Sequence, residues 1–183
     1  MKSFEKILFS IAPALLVLFA DQASKLYIKI NFIRDLSNPI LGHYLRVTYI
    51  ENPGLAFGLS VGSFAWLLFL VTIIITLYII YYLLFINDIH DYEILALSFI
   101  LGGALGNLVD WGFSLFSLFN YAGVIDFIDI GLFEYSFRYP YIFNIADLSV
   151  TVGICIYFIA SITKKRENNI SKKFINEESH EVT

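Results

Sequence analysis

Val61 to Asn87 is a run without one charged residue. As a helix rising 1.5 Å per residue, Phe64 to Phe85 would cross a hydrocarbon core of about 30 Å. In lipid, every backbone polar group must find its partner inside the segment or in a closed barrel. A run this long and uniformly apolar therefore predicts a membrane-spanning helix. Three further apolar runs follow the same logic: Ile7 to Ala20, Ile94 to Val109 and Tyr141 to Thr163. Four spans and their connectors account for most of the 183 residues. Composition agrees, with 58% hydrophobic and only 15% charged residues, where a soluble domain has about 25% charged. Disorder is excluded for most of the chain. Cys155 is the lone cysteine, so no intrachain disulfide scaffold is available. A net charge of −4 supplies no basic field for nucleic acid.

The first run follows Lys2 and Lys6, as a secretory signal peptide would. It is read as a retained helix, because Asp21-Gln22-Ala23-Ser24-Lys25 follows in place of a small-residue cleavage site. Four spans put both termini on one side. That side holds Lys2, Lys6, Lys164, Lys165, Arg166, Lys172 and Lys173, which are 7 of the 12 basic residues. The excess marks it as cytoplasmic. The connectors at about 30–62 and 112–140 then face outward. Tyr44 to Ile50, rich in β-branched and aromatic residues, reads as a strand, and Pro53-Gly54 as a turn. The expected architecture is an all-α membrane protein: four transmembrane helices with a small extracytoplasmic β-element and a surface-lying loop or helix. Residues 1–163 form the membrane domain, with the β-element at about 36–60 and the outer connector at about 112–140. A polar cytoplasmic tail covers 164–183.

Charges inside spans are expensive, roughly 2.5–3.5 kcal/mol for an Asp near a helix centre. Asp147 lies six residues into the fourth run, with Asn144 and Thr151 one turn away on the same face. Gly123 to Ile130 sets Asp126 and Asp129 among bulky aliphatic residues, as in a segment at or in the membrane surface. Asp126 could thus meet Asp147 at the outer boundary. Two adjacent carboxylates cannot both ionise easily, so one keeps its proton. Such a pair holds a base to activate water and an acid to protonate the scissile amide. In the third run, Gly103, Gly106, Asn107 and Asp110 share a face, and Gly102 with Gly106 permits close helix approach. Helix packing and site shaping both remain open for these glycines. Asp21 and Lys25 stand at i and i+4 in the favourable order and suggest a structural ion pair. Ser24 and Lys25 point about 100° apart, which argues against a Ser/Lys dyad. His43, His90 and His180 lack metal-ligand spacing, and Cys155 reads as packing within its span.

Five segments in order resemble the lipoprotein signal peptidase family, also called signal peptidase II or prolipoprotein signal peptidase. Asp21-Gln22-Ala23-Ser24-Lys25 resembles its D-Q-x-S/T-K pattern. Asn52-Pro53-Gly54-Leu55-Ala56-Phe57-Gly58 resembles N-x-G-x-A-F/W-G/S. Gly102 to Asp110 resembles G-G-x-x-G-N-x-x-D. Val124-Ile125-Asp126-Phe127 and Phe143-Asn144-Ile145-Ala146-Asp147 resemble V-D-F and F-N-x-A-D. The resemblance implies an aspartic endopeptidase of the bacterial inner membrane. Its substrates would be diacylglyceryl-modified prolipoproteins, cut at the lipobox cysteine. The family's catalytic aspartates fall on Asp126 and Asp147. Its substrate-binding or site-shaping positions fall on Asn52, Gly54, Asn107, Asp110, Asn144 and Ala146, with Asp21 and Lys25 as structural support. The family has Arg after Asp110 where this chain has Trp111; Arg46 and Arg138 are the candidate substitutes.

The expected partners are prolipoprotein substrates and membrane lipids, with no nucleic acid, no cofactor and no metal, and the chain is expected to act as a monomer. Two other classes fit parts of the pattern. A small transporter could use Asp147 as a proton relay, and a non-catalytic membrane assembly factor would need neither aspartate.

Overall fold

The structure, a computed structural model, describes residues 3–53, 65–86, 89–130 and 142–181. Four helices run through it: α1 (Ser3–Asn31), α2 (Ala65–Phe85), α3 (Asp91–Leu115) and α4 (Ile145–Glu181). Each holds a stretch long and apolar enough to cross a membrane: Ile7–Asn31, Trp66–Phe85, Asp91–Leu115 and Ile145–Thr163. Burial separates their roles. About 44% of the α3 span is buried, against 17–22% of the other three, which makes α3 the central helix. The other three expose rows of Leu, Ile, Phe and Tyr, as lipid-facing helices do.

Close approach around α3 depends on its glycines. A Cβ on Gly102 would lie 2.6 Å from the Ala14 carbonyl of α1, and one on Gly103 would collide with Ala146 of α4. These two positions are therefore packing contacts. Ala14, Ile79, Leu83, Ile94 and Leu101 fill the core between α1, α2 and α3.

The connectors build one antiparallel sheet in the order β1-β2-β3-β4. Its strands are β1 (Ser37–Leu41), β2 (Leu45–Asn52), β3 (Val124–Ile130) and β4 (Ile142–Phe143). The strand expected at Tyr44 to Ile50 is β2. The second connector differs from expectation: 124–130 is neither loop nor helix but a strand paired with β2. Its aliphatic residues are buried by the sheet and by α1, where Ile28, Tyr49, Ile125 and Phe127 form a second core.

The fourth span also differs. Ile142 and Phe143 belong to β4, so α4 starts only at Ile145. Asp147 thus sits in the first helical turn, not six residues into the span. Thr151, one turn on, is exposed and donates to the Asp147 carbonyl at 2.9 Å. Cys155 is exposed on α4 rather than packed. The α4 helix continues through the expected tail to Glu181.

Candidate active site

The sheet end of the bundle gathers most of the buried charge. Asp21, Lys25 and Asp110 have no solvent exposure. Lys25 Nζ lies 2.8 Å from Asp21 and 3.0 Å from Asp110, which joins α1 to α3. Gln22 Nε2 donates to both carboxylates, at 3.1 Å each. Each carboxylate also accepts a backbone N–H: Ala146 N to Asp21 at 2.9 Å and Ile125 N to Asp110 at 3.0 Å. One lysine, one amide and two peptide groups thereby tie α1, α3, β3 and α4 together. The expected Asp21–Lys25 ion pair is present and is the centre of this knot. Gly106 lets it form, since a Cβ there would lie 2.5 Å from Asp21 Oδ2. Ser24 is not aimed at Lys25; its hydroxyl donates to the Asp21 carbonyl at 2.7 Å.

Asp110 needs no neighbouring arginine, because Lys25, Gln22 and Ile125 N already supply its donors. Of the two arginines considered as substitutes, Arg46 instead forms a two-bond pair with Asp129, at 3.0 and 3.2 Å across β2–β3. Arg138 lies outside the described residues, as do Gly54 and the 55–58 part of its motif.

Asp126 and Asp147 are brought together by asparagines. Asn144 immediately precedes α4 and caps it: Asp147 N donates to Asn144 Oδ1 at 2.9 Å, and Asn144 N donates to Asp147 Oδ2 at 3.3 Å. This is the reciprocal arrangement of a capping box, with Asp147 as the third helical residue. The cap fixes which way the Asn144 amide faces. Its oxygen must meet a peptide N–H, so its NH₂ faces Asp126 and donates to Oδ1 at 2.7 Å. Asn107 is oriented by the same logic. Its Oδ1 accepts from Lys25 at 2.9 Å, so its NH₂ faces Asp147 and donates at 2.8 Å. Asn144 Nδ2 also approaches Asn107 Oδ1 at 3.1 Å. Asn52 Nδ2 completes the set, 3.1 Å from Asp126 Oδ2.

Asn52 reaches Asp126 because of a bulge. Val47 pairs with Ile128, but Ile50 pairs with Asp126, so β2 carries one extra residue at Thr48–Tyr49. Side chains alternate faces along a strand. Without the extra residue Asn52 would share the face of Ile125; with it, Asn52 shares the face of Asp126. Bulges beside functional sites commonly re-aim side chains in this way.

Asp126 is held well above the ordinary carboxylate range, at about 7. Burial is the main cause and the nearby Asp147 charge the second; the Asn52 and Asn144 bonds pull the other way. Among the described residues, neither Asp126 nor Asp147 forms an ion pair. The chemistry available is that of two coupled carboxyls, supported by amide donors alone.

Ala146 contributes through its backbone and its size: its N–H holds Asp21, and it is fully buried. The sequence reading missed Gln22, although it stands inside the first motif. It also missed Glu51, the one acidic residue of β2, and the Tyr49 and Lys29 groups that bind it.

Comparison with known proteins places this arrangement. The model of the signal peptidase (SPase) II family matches residues 13–163. The lipoprotein signal peptidase of Syntrophus aciditrophicus is 35% identical over 167 residues, covering 89% of this chain and 97% of the relative. That of Clostridioides difficile is 33% identical, covering 83% and 95%. A bacterial membrane enzyme solved by the in meso method at 2.3 Å superposes with a TM-score of 0.68 at 31% identity, covering 88% of this chain and 89% of that one. A second, solved at 1.9 Å, gives 0.65 at 32% identity. These comparisons do not support the relay-transporter reading. The chain belongs to the signal peptidase II family, the membrane proteases that remove signal peptides from prolipoproteins.

Proposed function

We propose that Asp126 and Asp147 are the catalytic pair of an aspartic endopeptidase that cuts diacylglyceryl-modified prolipoproteins at the lipobox cysteine. The observation that carries this reading is the shared amide: Asn144 accepts from the Asp147 backbone and donates to the Asp126 carboxylate. A buried carboxyl and a half-buried one linked in this way hold one proton between them near neutral pH. The ionised member takes a proton from water as the water oxygen attacks the scissile carbonyl carbon. The protonated member gives its proton to the developing tetrahedral centre. The C–N bond then breaks, and the leaving nitrogen takes up a proton from the pair. Asn52, Asn107 and Asn144 hold the carboxyls in place. Asn52, at the end of β2, also has an amide within reach of a substrate backbone that must unwind in lipid.

The site belongs at the outer face of the cytoplasmic membrane, with both termini inside, as the basic residues flanking the spans indicate. A diacylglyceryl cysteine is held at the bilayer surface, which is where the sheet end of the bundle would lie. Membrane lipid is then both the solvent of the spans and the anchor of the substrate, and the chain works as a monomer. Gly54, two residues after Asn52 in the sequence, takes the substrate-binding or site-shaping role that the family resemblance implies.

The test is cleavage of a lipidated precursor in detergent or proteoliposomes, with an unlipidated precursor in parallel. Asp126→Asn and Asp147→Asn should each lower the rate about 10²–10⁴-fold, with melting unchanged or raised. A well-folded Asp126→Asn enzyme that cleaves at a near-normal rate would remove that residue from the mechanism. Equal cleavage of both precursors would remove the lipid from recognition.

A further inference from the structure

A second buried carboxylate lies one residue from Asn52. Glu51 is 6% exposed and accepts four hydrogen bonds from four parts of the chain. Lys29 Nζ of α1 donates at 2.7 Å, Tyr49 OH of β2 at 2.5 Å and Ala122 N, just ahead of β3, at 2.6 Å. Arg34, beyond the end of α1, reaches it at 3.4 Å. Lys29 also donates to the Asn120 carbonyl at 3.3 Å and lies 4.1 Å over the Tyr121 ring. Asn120 has a left-handed backbone, φ 55°, as do Ser117 and Phe119 in the same turn. A residue other than glycine holds that conformation only where its surroundings insist.

The position of this clasp gives it a consequence for the site. Ile50 pairs with Asp126, Glu51 with Ile125 and Asn52 with Val124, so Glu51 and Asn52 are the next two residues of β2 after the partner of Asp126. Glu51 points to one face of β2 and Asn52 to the other. The start of β3 presses against the same spot, since a Cβ on Gly123 would collide with the Asn52 carbonyl. A carboxylate gripping β2 from behind and the approach to β3 from the side sets the distance between Asn52 and Asp126.

We propose that Glu51 is a positioning residue for the peptidase site: its four-donor clasp holds the end of β2 and the start of β3 in the register that brings Asn52 onto Asp126. The inference rests on the catalytic reading of Asp126. The charged and titratable groups around Glu51 are Lys29, Arg34, Tyr49 and Tyr121. Those around Asp126 are Asp147 and, more distantly, Lys25. The four donors satisfy a carboxylate taken out of water and, coming from separate segments, cross-link them at this strand end.

The experiment compares Glu51→Gln, Asn52→Ala and the double variant, measuring kcat, KM and the pH–rate profile on a lipidated precursor. A misplaced donor lowers kcat, and Glu51→Gln is expected to lower it on the order of 10-fold, with KM little changed. The direction of the pH shift is diagnostic. The Asn52 bond favours ionised Asp126, so its loss moves the alkaline limb of the profile to higher pH. Mere removal of the Glu51 negative charge would move that limb to lower pH. The double variant should match Asn52→Ala alone, since neither change has anything left to act on after the other. A limb that stays or moves down, or effects that add, overturns the proposal. If Glu51→Gln does not fold, Tyr49→Phe removes one donor from the clasp and should give a smaller shift in the same direction; no shift would again overturn it. Asp126→Asn in the same assay separates the two readings. Retained cleavage there defeats the catalytic assignment, whereas lost cleavage with an unshifted Glu51→Gln profile defeats only the clasp.

Discussion

Two acidic clusters at the sheet end of the bundle, linked through Lys25 and Asn107, are treated in opposite ways. Asp21 and Asp110 share Lys25, an amide and two peptide N–H groups. Asp126 and Asp147 receive hydrogen bonds only, mostly from asparagine amides. Carboxylates that share a cation and peptide donors hold helices together. A pair held by hydrogen bonds alone does not easily carry two negative charges away from water, which is the physical basis of the catalytic role proposed for it. Lys25 connects the clusters without neutralising the second. It stops at Asn107 Oδ1, and Asn107 passes only its NH₂ onward to Asp147. The same cation therefore braces the fold and orients a donor in the site.

The contrast can be broken most severely at Lys25. Lys25→Met leaves Asp21 and Asp110 buried without their cation, at a cost of about 3–5 kcal/mol. Melting in detergent should fall sharply and cleavage with it. Unchanged melting beside lost cleavage would show that the knot is not structural.

Asn144→Ser sharpens the difference next. Serine caps a helix about as well as asparagine but has no NH₂ for Asp126. Melting should be kept while cleavage falls about 10- to 100-fold, the worth of one hydrogen bond to a charged group. Equal loss of both would mean that Asn144 serves only as a cap.

The pH dependence of stability should distinguish the site from its clasp. Asp126 is raised to about 7 by burial and then by Asp147, so folding binds a proton that the unfolded chain gives up near 4. Stability should therefore fall as pH rises from about 4 to 7. Burial also pushes Glu51 up, but the Lys29, Tyr49 and Ala122 bonds outweigh it and hold its pKa below the usual 4.5. Its contribution is present above that value and is lost as pH falls through the lowered one. Asp126→Asn should flatten the first window in a denaturation series, and Glu51→Gln the second. A slope between pH 4 and 7 that survives Asp126→Asn would point to another group.

The smallest effect is expected at the far end of the sheet. Arg46→Ala removes the two bonds to Asp129 and leaves Thr48 as a donor at 2.6 Å. Stability should drop by about 1–3 kcal/mol with cleavage at the assay temperature intact. Loss of cleavage from a folded Arg46→Ala enzyme would return Arg46 to the role of the family arginine that Trp111 displaces.

Much of this was legible in the residues. Long apolar runs located four helices because lipid leaves the backbone no other solution. The strand at Tyr44 to Ile50 showed in its β-branched and aromatic residues, and Asp21 with Lys25 showed in helical spacing. Strand β3 was harder, since a short apolar run around two aspartates suits a loop, a helix or a strand equally well until a partner strand is known. The start of α4 was misplaced because apolar residues stand on both sides of Asn144, and only its cap marks the boundary. Glu51 was overlooked because its donors come from residues 29, 34, 49 and 122.

What the sequence alone determined is the class of the molecule and the identity of its unusual charges. Hydrophobic runs and isolated aspartates are properties of residues and their neighbours, and burial in lipid makes both unambiguous. Tertiary structure decided which aspartates receive a cation and which receive hydrogen bonds alone. That depends on a bulge of one residue in β2, on two amide orientations and on where one lysine ends. Each is a matter of ångströms between segments distant in the chain, set by packing at the sheet end of the bundle.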